Sequence, residues 1–327
     1  MRTTSLILGA LAAFQSVLAA SVNDVCTVGY CTLNGGTSGG SGGVTTTVSS
    51  LAALKTAVAD DVARIVVVTG TITGNEAVPV GSNKSILGSG GATLVGVGLR
   101  VLEKKNVIIR NLKIQKCLAP IDGIGIQLST NVWVDHVDLS ADQDHSKTSR
   151  VVPMIIGLSS HVYVQDYYDG LLDITHAADY ITISNVYFHD HWKGSLIGHS
   201  DNNGAEDIGT LRVTYYQCHF QNVYSRGPSL RFGTGHVING WYENMEDAVN
   251  TRQGAQMLLE NSVWSGITKC VISSDAGYAV LRGCDLGGGT NSAPTGTLTS
   301  VPYSYTLLPV TSVPSVVGAN QGAILTW

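Results

Sequence analysis

Val107-Ile108-Ile109-Arg110-Asn111-Leu112-Lys113-Ile114 sets two short β-prone runs either side of one polar residue, and the pattern returns down the chain. It recurs as Val132-Trp133-Val134-Asp135-His136-Val137-Asp138-Leu139, as Tyr180-Ile181-Thr182-Ile183-Ser184-Asn185-Val186-Tyr187-Phe188, and as Val213-Thr214-Tyr215-Tyr216-Gln217-Cys218-His219-Phe220. Weaker members lie around Asn239-Gly240, Glu260-Asn261 and Gly283-Cys284. Alternation sends every second side chain to one inner face. Taking Asn111, His136, Asn185, Gln217, Gly240, Asn261 and Gly283 as equivalent corners gives spacings of 25, 49, 32, 23, 21 and 22 residues. All but one suit a coil of a parallel β-helix, in which a polar residue or glycine turns the chain between strands. An antiparallel sandwich is the competing reading. No hairpin dipeptide separates consecutive rungs, which favours the solenoid.

Outward from that repeat, Ser50-Leu51-Ala52-Ala53-Leu54-Lys55-Thr56-Ala57-Val58-Ala59 reads as a capped amphipathic helix. An open solenoid end exposes its core and needs such a lid. The Gly/Ser-rich stretch 34–43 reads as a loop, and the chain after Leu286 as irregular structure laid along the outside. The expected fold is all-β, a parallel β-helix with an N-terminal capping helix and long external loops.

The 327 residues carry 19 Lys+Arg against 24 Asp+Glu, a net charge of −5, and only 13% are charged. That balance argues against a nucleic-acid binder, which needs clustered positive charge. Residues 1–19, with Arg2, an apolar centre and small residues at the end, have the zones of a secretory signal. No later apolar run is long enough to span a membrane. Residues 20–327 are thus expected to form one secreted domain, a monomer with neither membrane nor nucleic-acid partner. Six cysteines, Cys26, Cys31, Cys117, Cys218, Cys270 and Cys284, make disulfides the default on an oxidising route, with Cys26–Cys31 the simplest local pair.

Three clusters could carry chemistry. Asp122, Asp169 and Asp173 fall near rung ends, and convergent carboxylates suit a hard cation such as Ca²⁺. His189-Asp190-His191-Trp192-Lys193, with His199-Ser200-Asp201, lacks the spacing of a zinc site and reads better as a polar stack, with Lys193 a fixed cation for an anionic substrate. Ser225-Arg226-Gly227-Pro228-Ser229-Leu230-Arg231 places two arginines five apart, on opposite faces of an extended strand unless the proline bends the path.

Asn131-Val-Trp-Val-Asp-His136, Asp169-Gly-Leu-Leu-Asp173 with Ile174-Thr175-His176, the Lys193 neighbourhood and Arg226-x-Pro-x-x-Arg231 occur in an order that resembles the pectate lyase family, over roughly residues 43 to 290. The resemblance implies a secreted, right-handed parallel β-helix that cuts α-1,4-polygalacturonate by calcium-dependent β-elimination. It implies Asp122, Asp169 and Asp173 as calcium ligands, Lys193 and Arg231 as substrate-binding cations, and Arg226 as the base at C5. A guanidinium normally keeps its proton, so an alkaline optimum follows. Related chains carry Asp-x-Asp where this one has Pro120-Ile121-Asp122, leaving one carboxylate. The 49-residue spacing contains an apolar stretch, 148–165, which reads as a retained intron. The alternatives are a pectin lyase acting on methyl-esterified substrate, which would lack the calcium carboxylates, and a noncatalytic cell-wall polysaccharide-binding solenoid.

Overall fold

The computed structural model describes residues 20–142 and 168–327. The expected signal sequence at 1–19 and the apolar stretch 148–165, read as a retained intron, lie outside the described residues. All 23 strands join one hydrogen-bonded system whose named strand pairs are parallel, and the chain winds it as a right-handed parallel β-helix. Three stacks make up the wall. The first includes Lys105–Arg110, Thr130–Asp135, Asp179–Ser184, Arg212–Tyr216, Thr234–Ile238, Gln256–Glu260 and Tyr278–Arg282. The second runs from Lys113–Gln115 through Tyr187–Lys193 and His219–Ser225 to Val263–Ser265. The third contains Ile124–Gln127, Leu172–Thr175, Ser195–Ile197, Ser229–Arg231 and Asp247–Arg252.

Register explains the sequence pattern. Ile109, Val134, Ile183, Tyr215, Val237 and Leu259 stand over one another and are buried, so each coil lays one apolar side chain on the last. Inside the second stack Phe188, Phe220, Tyr242 and Trp264 form a ladder of near-parallel rings with centroids 4.3, 5.4 and 4.8 Å apart. Each such pair adds about 0.5–1.5 kcal/mol beyond the area it buries.

At the corner between first and second stacks the backbone enters the left-handed region, which Asn tolerates better than most side chains. Asn111, His136, Asn185, Gln217 and Asn261 lie there with φ between 44° and 59°, and Gly283 at 61°. In the remaining coil the left-handed residue is Asn239, φ 53°, and not its neighbour Gly240. Both residue types suit such a turn, so sequence alone misplaced that corner by one position.

The helix Leu51–Val58 is present, with Ser50 Oγ accepting from the Ala53 amide at 3.3 Å. Leu54, Ala57 and Val58 are buried on the first coils as a lid requires. The C-terminal segment does run along the outside, and it includes a helix, Val313–Asn320. It bonds to corners at three levels of the column: Asn261 Nδ2 donates to Leu308 O, Asn185 O accepts from Gly322 N, and Asn111 exchanges two bonds with Leu325.

Disulfide pairing is narrower than expected. Cys26–Cys31 is formed, whereas Cys117, Cys218, Cys270 and Cys284 are free thiols. Cys218, Cys270 and Cys284 lie in different coils, each with its sulfur against a backbone carbonyl. The Asn131–His136 motif is structural. Asp135 receives Arg110 Nε at 2.6 Å, Ser184 Oγ at 2.6 Å and Asn185 Nδ2 at 3.1 Å, and meets His136 Nδ1 at 2.7 Å. Burial alone would raise its pKa, but His136 and Arg110 outweigh that and hold it down to about 2.

Candidate active site

Asp173, Leu196, Ser229 and Asn250 occupy one rung-to-rung ladder of the third stack, with Gly125 below Asp173. Gly125 brings no side chain, so Asp122, two residues before its strand, can lean towards Asp173. The glycine between Asp169 and Leu171 locates the meeting point: a Cβ on Gly170 would stand 2.7 Å from Asp173 Oδ1 and 3.1 Å from Asp122 Oδ1. Asp122 and Asp173 therefore converge on one small space. Burial pushes both carboxyls well above the usual range; Asp173 and then Asp169 add to the effect at Asp122, Asp169 adds to it at Asp173, and Arg226 and Lys193 oppose it at both.

Asp169 belongs to the same cluster, close enough to raise the pKa of both other acids. Its Oδ1 accepts from Lys193 Nζ at 3.3 Å. No three His, Cys, Asp or Glu side chains among the described residues already stand together as a metal cage. The pair nonetheless suits a hard cation. Asp173 Oδ1 is removed from solvent and has no hydrogen-bond partner, a costly arrangement for a carboxylate oxygen that a divalent ion would satisfy.

Arg226 precedes the rung Ser229–Arg231 and has φ 66°, a left-handed conformation that a long side chain rarely adopts. The Ser195 amide donates to its carbonyl at 2.7 Å, and Gly227–Pro228 is cis. The bend brings its guanidinium close enough to lower the pKa of both Asp122 and Asp173. Lys193 is fixed from behind by His191, whose Nδ1 accepts the Lys193 amide at 2.9 Å. Burial, assisted by Lys193, pushes the His191 pKa down to about 3, so the imidazole is neutral and available as acceptor.

Arg231 stands apart from this group. It is buried at the end of its rung, with Nε donating to Asp201 Oδ1 at 2.5 Å and Nη1 to Gly198 O at 3.0 Å. Arg252, its in-register neighbour, donates to the other oxygen of Asp201 at 3.0 Å. Sequence reasoning assigned no role to Asp201 or Arg252; coil register brings Arg252 to Arg231, and the loop after Ser195–Ile197 brings Asp201 to both. The remaining histidines of the dense cluster go elsewhere: His189 meets Asp138 and Asp190, while His199 stacks on His176.

The sequence profile of the pectate lyase family matches residues 1–313. The chain is 53% identical over 311 residues to a probable pectate lyase A of Aspergillus flavus, covering 94% of this chain and 91% of that one. It is 50% identical over 311 residues to pectate lyase A of Aspergillus niger, covering 94% and 90%. Its fold matches a pectate lyase of Bacillus sp. N165 solved with trigalacturonate, at a TM-score of 0.76 and 28% identity over 91% of this chain and 98% of that one. Agreement in sequence across nearly the whole length, on a common solenoid, leads to one conclusion: the chain belongs to the pectate lyase family of enzymes.

Proposed function

We propose that the chain is a secreted pectate lyase that cleaves α-1,4-polygalacturonate by calcium-dependent β-elimination, with Arg226 as the base. The observation that carries this reading is the convergence of Asp122 and Asp173 on a buried, unsatisfied oxygen beside Lys193 and Arg226. Asp122, Asp169 and Asp173 would hold the ion. Calcium supplies positive charge beside the uronate carboxylate, which makes the proton at C5 more acidic.

The residues divide the remaining work. Asp169 gives up its contact with Lys193, and the released ammonium turns to a substrate carboxylate. Arg231, held at Nε and Nη1, offers the rest of its guanidinium to a second carboxylate. Arg226, in the neutral guanidine form that alkaline pH favours, takes the C5 proton; the electrons of that bond form the C4–C5 double bond as the C4–O bond breaks, and water protonates the leaving oxygen. With a net charge of −5, retention of a polyanion rests on these local cations, so binding weakens at high salt.

The test is to follow ultraviolet absorbance of the unsaturated product when purified protein meets polygalacturonate, with calcium or with a chelator. Calcium-dependent growth supports the reading. New reducing ends without absorbance mean hydrolysis and overturn it, as does chelator-insensitive cleavage confined to methyl-esterified pectin.

A further inference from the structure

We propose that Arg100 forms an outlying subsite for one more carboxylate of the same uronate chain, on the N-terminal side of the aspartate pair; this rests on the pectate reading above. Arg100 lies in the strand Lys84–Leu102, in register with Gly125, which is in register with Asp173. At about 4.8 Å per coil its backbone stands roughly 10 Å from that of Asp173 along the solenoid axis. The groups assigned to substrate and metal are spread over successive coils of this stack, so a polymer serving all of them runs across the rungs. Continued one way it meets Arg231 and Arg252; continued the other way it meets Arg100.

The ground between is open. Gly125 leaves a hollow of about 180 Å³, bordered by Leu99, Arg100, Ile121, Asp122 and Gln127. Arg100 is exposed, and its Nη2 donates to Gln127 Oε1 at 2.7 Å. That neutral acceptor aims the guanidinium without cancelling its charge. Arg64, Arg110, Arg212, Arg231, Arg252 and Arg282 all have carboxylate partners. Among the described residues, Arg100 and Arg226 are the arginines outside any ion pair. A planar guanidinium with unspent donors matches a uronate carboxylate. Asp122 borders the same hollow, so the subsite is read at saturating calcium, with that acid engaged by the cation.

The test compares wild type, Arg100→Gln and Arg100→Lys on trigalacturonate and hexagalacturonate at saturating calcium, reading product absorbance and melting temperature. In Arg100→Gln the advantage of hexamer over trimer in kcat/KM should shrink about tenfold, the lower end of the scale of one charge-assisted hydrogen bond, with Arg100→Lys in between. An unchanged ratio in an active Arg100→Gln overturns the subsite alone. Equal losses on both oligomers with a lowered melting temperature also overturn it, reducing Arg100 to a structural partner of Gln127. No unsaturated product from wild type on either oligomer would overturn the pectate reading and the subsite with it.

Discussion

Gly170 faces Asp173 across a gap with no room for a methyl group, since a Cβ on the glycine would lie 2.7 Å from Asp173 Oδ1. Asp122 Oδ1 stands 3.1 Å from the same point. The absence of a side chain at one position thus lets two acids approach each other.

Gly170→Ala should force those carboxylates apart while leaving the strands intact. The calcium concentration for half-maximal activity is expected to rise about tenfold, equivalent to roughly 1.4 kcal/mol, with a melting temperature in chelator close to wild type. A calcium titration of product formation, paired with a thermal melt, checks both halves. Unchanged calcium demand would separate Gly170 from the metal site.

Asp173→Asn removes a carboxyl whose ionised form burial disfavours. In chelator, above about pH 6, the variant should be more stable than wild type, by about 1 kcal/mol, because no buried negative charge is left without a cation. It should also need far more calcium for activity and be partly rescued at high concentration. Urea unfolding in chelator and activity in a calcium series measure the two opposite effects on one protein. A variant less stable in chelator contradicts the argument from burial.

Arg226→Lys keeps a positive charge but moves the basic nitrogen and loses the planar fork. Turnover is expected to fall by about 10²–10⁴, the usual contribution of a general base, with little change in fold. Steady-state kinetics and circular dichroism are sufficient. A preserved rate removes Arg226 from proton transfer.

Asp135 gives a pH prediction away from the cleft. Its folded pKa, about 2, lies below the ordinary carboxylate value, so its ionised form stabilises the fold. That contribution, about 2–3 kcal/mol, is full above roughly pH 4 and is lost as pH falls through 2. Asp135→Asn should therefore be markedly less stable than wild type at pH 6, with the difference closing towards pH 2. A pH-independent difference in denaturant unfolding would show that the carboxylate charge is not the cause.

The solenoid was legible because its signals are local. Asn111, Asn185 and Asn261 announce left-handed corners, and the apolar alternation beside them supplies the stacking residues. The slip from Asn239 to Gly240 came where two adjacent residues both tolerate that backbone. Asp169, Asp173 and Arg226, which the structure brings near one another, lie in two short motifs, Asp169-Gly-Leu-Leu-Asp173 and Arg226-x-Pro-x-x-Arg231, and were legible as candidates for that reason. Asp201 and Arg252 were not, because their meeting at Arg231 is made by a loop and by coil register across many residues. Nor could the sequence show that three of the remaining four cysteines would bury their sulfurs as separate hydrophobes.

A stack of coils held only by nearest neighbours can unravel from either end, one layer at a time. The C-terminal strap alters that, since its bonds at Asn261, Asn185 and Asn111 tie late layers to early ones. Loss of the last coil must drag the strap off corners far up the molecule, so fraying at one end is resisted by the other. A protein built as a column of repeated layers is thereby given the all-or-none cohesion of a closed ring.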